Sequence, residues 1–290
     1  MADPGITLDA DHETWSDAQV ETTVTVDGRD LTVAYYEAGA DNDGPPVVFL
    51  HGIPTWSFLW RGIAPAIAED RHVVAPDLPG YGNSQRTDDF DRSVRAQTAV
   101  LADLIADRGV DKVDLVAHDI GGGVALRYAA ARPAMVRKLV LSNAACFDSW
   151  PVEYVNSLGV PGVVEGWDDA EFEEQLDFLF AEGAYGEADP AFVAGMKAPW
   201  KREGGRTALA RAAVATNTND TTSIDYDAIT AETLCLWGAD DVLQPVANAD
   251  RLADAVAGDV TVRPLEEAYH WVTHDRTAAY RESARDFLTE

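Results

Sequence analysis

The segment Asp114-Leu115-Val116-Ala117-His118-Asp119-Ile120-Gly121-Gly122-Gly123 runs an apolar strand pattern straight into a helix start through small residues. That is the pattern of a nucleophile elbow, a tight strand-to-helix turn that lifts one side chain clear of the sheet. The turn needs small residues two before and two after the lifted one, here Ala117 and Gly121. The lifted residue is Asp119, and no G-x-S-x-G occurs elsewhere in the chain. A carboxylate in that position acts by displacement. One oxygen attacks an electrophilic carbon, expels a halide or opens an epoxide, and leaves an alkyl ester that water must hydrolyse.

The second step needs a base. His270, in Glu266-Glu267-Ala268-Tyr269-His270-Trp271, follows the last strand-like run, where a neutral imidazole can deprotonate water. An acid to orient it stands in Gly238-Ala239-Asp240-Asp241-Val242-Leu243-Gln244-Pro245, whose G-x-x-D-x-x-x-P spacing selects Asp241 over Asp240. The chain order Asp119, Asp241, His270 is that of nucleophile, acid and histidine at the carboxyl ends of neighbouring strands. The turn His51-Gly52-Ile53-Pro54 then supplies the amide of Ile53, which joins the amide of Ile120 as an oxyanion hole for the ester-hydrolysis step. His12, His72, His118 and His274 read as structural, His274 as a cap for the last helix.

Elements able to position these residues alternate along the chain. Leu31 to Ala38 and Pro46 to His51 read as strands in a hairpin-like start, with turn residues Gly39 to Gly44 between them. Strand signals return at His72 to Pro76, Lys112 to His118, Arg137 to Asn143, Thr233 to Gly238 and Val260 to Leu265. Helical patterns fill Ser57 to Glu69, Arg92 to Arg108, Gly121 to Ala131, Val246 to Val256 and Arg276 to Leu288. Such alternation predicts an α/β protein with a mostly parallel sheet flanked by helices. Residues 145–228 lack strand signals and carry helix-like patches with Trp150, Trp167 and Trp200, which predicts a helical cap inserted into a core of residues 1–144 and 229–290.

Taken together, the His-Gly-x-Pro turn, Pro54-Thr55-Trp56-Ser57 after it, His118-Asp119-x-Gly121-Gly122 at the elbow and the place of the insertion resemble the haloalkane dehalogenases and their epoxide hydrolase relatives within the α/β-hydrolase fold. The resemblance covers nearly all of the chain outside residues 145–228, and Leu141-Ser142-Asn143-Ala144-Ala145-Cys146 brings it closest to the dehalogenases. It implies two-step covalent hydrolysis of a small apolar substrate by water, a halide ion as product, and no metal or organic cofactor. Two departures stand out. The family carries Trp after the nucleophile to hold the halide, and often Asn or Glu after His-Gly, where this chain has Ile120 and Ile53. A departing halide would then fall to the oxyanion amides, to Trp56, or to Trp150, Trp167 or Trp200. Epoxide opening would instead need tyrosine hydroxyls from Tyr154, Tyr185 or Tyr226. The cap aromatics Trp150, Tyr154, Trp167, Tyr185 and Trp200 are the candidate pocket lining. A non-catalytic small-molecule binder on the same fold is the reading from another class.

Composition narrows the partners. The 50 acidic against 22 basic residues give a formal net charge of −28, which disfavours nucleic acid and anionic substrates. The acids are spread along the whole chain, the distribution of proteins whose surroundings are concentrated salt, where screening makes such self-repulsion tolerable. Neither a membrane-spanning run nor a basic-then-apolar leader after Met1-Ala2-Asp3-Pro4-Gly5 is evident, so a cytoplasmic protein is expected. Cys146 and Cys235 read as free buried thiols. Composition carries no signal for an oligomeric state.

Overall fold

The computed structural model describes residues 6–290, so the leader reading at Met1–Gly5 falls outside the described residues. Eight strands form one sheet: β1 (Val20–Val26), β2 (Arg29–Ala38), β3 (Val47–Leu50), β4 (Val73–Pro76), β5 (Val113–His118), β6 (Val136–Ser142), β7 (Glu232–Gly238) and β8 (Val260–Leu265). Their order is β1-β2-β4-β3-β5-β6-β7-β8, antiparallel at β1-β2 and β2-β4 and parallel from β4 to β8. Every residue of β3, β4 and β5 is buried, as continuous apolar runs require when helices cover both faces.

Two sequence expectations are corrected. β2 and β3 do not form a hairpin start, because β4 lies between them. The hairpin partner of β2 is β1, a strand the sequence reading left out. Its two-residue turn, Asp27-Gly28, has φ of +51° and +76°, which the right-handed twist of the paired strands favours. The segment from Ser57 to Glu69 is not one helix either. It divides into a 3-10 turn (Ser57–Trp60) and a short helix, since Pro65 lacks the N–H to continue an earlier helix and instead sits in the first turn of a new one.

The helices are α1 (His12–Asp17), α2 (Ala64–Ile67), α3 (Val94–Asp107) and α4 (Ile120–Ala131), then α5 (Glu153–Leu158), α6 (Val163–Gly166), α7 (Asp169–Glu182), α8 (Pro190–Lys197), α9 (Gly205–Val214) and α10 (Asn219–Thr222), and finally α11 (Ala247–Ala255), α12 (Val272–Asp275) and α13 (Thr277–Thr289). Helices α5 to α10 all fall between β6 and β7 and form a helical insert. Its α7 starts on a capping box, with Asp168 accepting from the Glu171 amide while the Glu171 side chain accepts from the Asp168 amide. At the opposite end of the sheet from the elbow, buried Asp114 accepts from Arg71 at 2.6 Å and from Arg137 at 2.9 Å. Arg71 and Arg137 also donate to the carbonyl of Leu288, which ties α13 to the sheet.

Candidate active site

Strand β5 ends at His118 and α4 begins at Ile120, leaving Asp119 alone in the turn at φ +51° and ψ −122°. A non-glycine residue there is strained, and the surroundings hold it in place. The Asp119 amide donates to Ser142 at 3.2 Å, and its carbonyl accepts from Gly122 and Ala145, each at 2.9 Å. Gly121 is obligatory beside it: a Cβ would lie 2.4 Å from the Leu50 carbonyl oxygen and 2.5 Å from that of His51. The elbow therefore closes onto the end of β3, where the Ile53 amide donates to Asp119 Oδ1 at 2.8 Å. The Ile120 amide is the first of α4, a position with no acceptor inside its own helix.

The other oxygen, Oδ2, lies 3.6 Å from His270 Nε2. On its far side the imidazole directs Nδ1 to Asp241 Oδ2 at 2.9 Å. Asp241 also accepts from the Leu243 amide at 2.7 Å and from the Asn143 side chain. Asn143, whose side-chain Oδ1 accepts from the Gly238 amide at 3.2 Å while its amide group donates to Asp241, ties Asp241 to the end of β7, and sequence reading gave it no role. Its signal was its place: it directly follows β6, between the strands that deliver Asp119 and Asp241. His51 was also passed over. Its Nε2 accepts from Leu78 at 2.9 Å, so Nδ1 carries the proton donated to Gly52 and helps shape the turn that presents the Ile53 amide.

Charge is unevenly distributed in this cluster. Burial alone would lower the His270 pKa, but the charge and hydrogen bond of Asp241 and the nearby Asp119 carboxylate outweigh it and push it up to about 10. Burial would raise Asp241, and the charge and hydrogen bond of His270 with that of Asn143 reverse this, holding its carboxyl below the usual range. His118, its ring 4.9 Å from that of His270, is driven well below the usual histidine value by burial, with the His270 charge adding to it.

Asp119 and His270 open onto a cavity of about 270 Å³ with mostly apolar walls, among them Ile53, Trp150, Val155, Leu179 and Trp271. Of the aromatic residues singled out in the sequence, Trp150 and Tyr154 line it. The others lie away from its lining. Trp56 is buried with its indole N–H on the Gly195 carbonyl at 3.0 Å, and Trp200 donates to Pro54 at 2.7 Å. Trp167 packs against Phe172, and Tyr185 is 44% exposed. The Tyr226 hydroxyl is taken by the Phe147 amide and the Thr221 carbonyl. His274 does not cap α13 but lies within α12, stacked on Phe192. Among the described residues no group of three or more His, Cys, Asp or Glu is arranged to hold a metal ion, and no helix is long and apolar enough to cross a membrane.

Sheet order, elbow and helical insert define a protein of the α/β-hydrolase fold, and the model of the alpha/beta hydrolase fold family matches residues 45–182. Its relatives include several kinds of hydrolase. The chain is 28% identical to 2-hydroxymuconate semialdehyde hydrolase of Pseudomonas sp., over 91% of this chain and 94% of that protein. It is 44% identical to a haloalkane dehalogenase of Bradyrhizobium diazoefficiens over 108 residues, which is 37% of this chain and about a third (34%) of that relative. The crystal structure of the haloalkane dehalogenase DbeA from Bradyrhizobium elkani superposes with a TM-score of 0.77 at 26% identity, covering 93% of this chain and 97% of that one.

Proposed function

We propose that the chain is a haloalkane dehalogenase-like hydrolase that cleaves a carbon–halogen bond in a small apolar substrate through an ester on Asp119, with the helical insert as its cap. The observation that carries this reading is the disposition of the Asp119 carboxylate at the edge of an apolar cavity, one oxygen on the Ile53 amide and the other facing His270. Oδ2 attacks the carbon and the halide departs with the bonding pair. The free enzyme holds a proton on His270 because two carboxylates face it. Ester formation removes one of those charges, so the imidazole releases its proton to solvent and becomes the base. His270 then takes a proton from water, hydroxide adds to the ester carbon, and the charge that develops on Oδ1 is met by the Ile53 amide. The tetrahedral intermediate collapses with cleavage of the bond to the alkyl oxygen, which takes the proton of the added hydroxyl and leaves as alcohol. Asp119 is again a carboxylate and His270 again protonated, so halide, alcohol and one proton are the balance of the reaction.

Replacing His270 by Phe stops the second step and spares the first. Mass spectrometry of the variant after exposure to a bromoalkane is expected to find the alkyl group on Asp119. Free enzyme with no adduct, from a substrate the native enzyme turns over, would remove His270 from the base role.

Three further observations support this substrate class. Trp150 lines the cavity, and its buried indole N–H has no hydrogen-bond acceptor among the described residues, which leaves it a donor for a halide. Of the three tyrosines that could protonate an opening epoxide, only Tyr154 lines the cavity, and its hydroxyl is engaged with Gln175 at 3.1 Å. Among the described residues Glu182 is the one charged side chain lining the cavity besides Asp119 and His270, which opposes carboxylate substrates. Trp150→Phe is expected to raise the bromide dissociation constant about tenfold or more, as loss of a ~1.5 kcal/mol charged hydrogen bond implies. A titration indistinguishable from the native one excludes Trp150 from the halide site, and diol release from an epoxide with no halide release from any haloalkane transfers the reaction to ring opening.

A further inference from the structure

The chain around His270 is held from the insert rather than from the core alone. Helix α7 ends at Glu182, and the carbonyls of its last turn have no donors within the helix. Two of the free carbonyls at this end are satisfied by one residue, the neighbour of His270. The Trp271 amide donates to Gly183 at 2.9 Å, and its indole N–H donates to Phe180 at 3.0 Å. On the other side of His270, the Tyr269 amide donates to Asp275 Oδ2 at 2.8 Å, and that same oxygen accepts from Tyr185 of the insert at 3.1 Å. Tyr185 and Tyr269 also meet edge to face, with ring centres 5.4 Å apart. The fit at α7 leaves no slack, because a Cβ on Gly183 would lie 2.3 Å from the Trp271 indole nitrogen.

We propose that the insert positions the base as well as covering the cavity: Trp271 and Asp275 are positioning residues through which the end of α7 aims His270 at the hydrolytic water. The two chemical steps should feel this differently. Displacement depends on Asp119, whose carboxylate is set by the elbow and the Ile53 amide within the core. Ester hydrolysis depends on where Nε2 of His270 sits, and a displacement of ~1 Å in a reacting group can cost ~10²-fold in rate. Disturbing the stitch should therefore slow hydrolysis and leave ester formation nearly untouched. A residue that only stabilised the fold would not divide the steps in this way.

The test compares Trp271→Phe, Gly183→Ala, Asp275→Leu and Asp275→Asn in the full chain, the asparagine retaining an oxygen to accept from Tyr269 and Tyr185. Rapid quench with 1-bromobutane, followed by mass spectrometry, gives the rates at which the Asp119 ester forms and decays. Trp271→Phe, Gly183→Ala and Asp275→Leu are expected to hydrolyse the ester roughly ten- to a hundredfold more slowly, and Asp275→Leu, whose side chain is not part of the cavity lining, to form it within about threefold of the native rate. Asp275→Asn should recover most of the loss. Equal slowing of both steps in Asp275→Leu, unchanged hydrolysis, or asparagine no better than leucine overturns the proposal. Should Gly183→Ala not fold, the other three variants decide. Because the kinetic readout rests on Asp119 as nucleophile, a second readout is independent of it: the downfield proton NMR resonance of His270 Nδ1–H against Asp241. This should shift or broaden in Trp271→Phe and Asp275→Leu and return in Asp275→Asn. A native enzyme that forms no ester defeats the Asp119 reading, and a resonance unmoved in all variants defeats the positioning role.

Discussion

Asp119→Ala is expected to abolish turnover, by ~10⁴-fold or more against every accepted substrate, while the protein stays folded. No second nucleophile stands at the elbow to take over, and the cavity holds only one other carboxylate, Glu182, an exposed residue at the end of α7. Folding should be retained because alanine places no atom in the turn where aspartate has none, the Cβ at φ +51° being common to both. The variant loses the acceptor for the Ile53 amide, at a cost of ~1 kcal/mol, and is relieved of a buried negative charge. A second, spectroscopic consequence has a definite sign. The Asp119 carboxylate, 3.6 Å from Nε2, helps to raise the pKa of His270 to about 10, so without it the titration should move to lower pH. Turnover that survives Asp119→Ala removes the carboxylate from the nucleophile role, and a His270 titration that stays in place contradicts the contact between the two side chains.

At low ionic strength the protein is expected to unfold, or to melt at least ~10 °C lower than in molar salt, through repulsion among its surface carboxylates. The chain carries 50 acids against 22 lysines and arginines, and α7 alone shows how they are laid out, with Asp169, Glu171, Glu173, Glu174 and Asp177 on partly or fully exposed positions. The Debye length is ~3 Å at 1 M and ~30 Å at 0.01 M salt, so dilution lets charges on separate elements repel one another. Buried pairs such as Asp114 with Arg71 feel this much less, which makes the loss a property of the surface. Melting followed by circular dichroism from 0.05 to 2 M KCl should rise steeply, and sucrose, which strengthens apolar burial without screening, should not replace the salt. A melting temperature independent of salt refutes the high-salt reading.

Legibility in the sequence followed the range of the interaction involved. Asp119 could be located because an elbow is a local device: its conformation demands small residues at fixed offsets, and Ala117 and Gly121 meet that demand within five residues. Strands β3 to β8 were readable for the same reason, as short apolar runs bounded by turn residues. Even the approach of Asp241 and His270 could be read, since each lies in the loop that follows a strand of a parallel sheet and such loops gather at one edge. Strand order was a different matter. Nothing within β2 says that β4 rather than β3 will lie beside it, because pairing is decided by distant segments competing for the same edge. The candidate aromatic residues were illegible on the same ground. Trp56 and Trp200 look as able to bind a halide as Trp150 does, until the fold brings Gly195 to the one and Pro54 to the other and fills their donors. The sequence by itself thus determined the local turns and the side chains they present. Only the tertiary structure decided which polar groups were left without partners, Trp150 among them, because a hydrogen bond between residues more than a hundred positions apart exists only once the chain between them has folded.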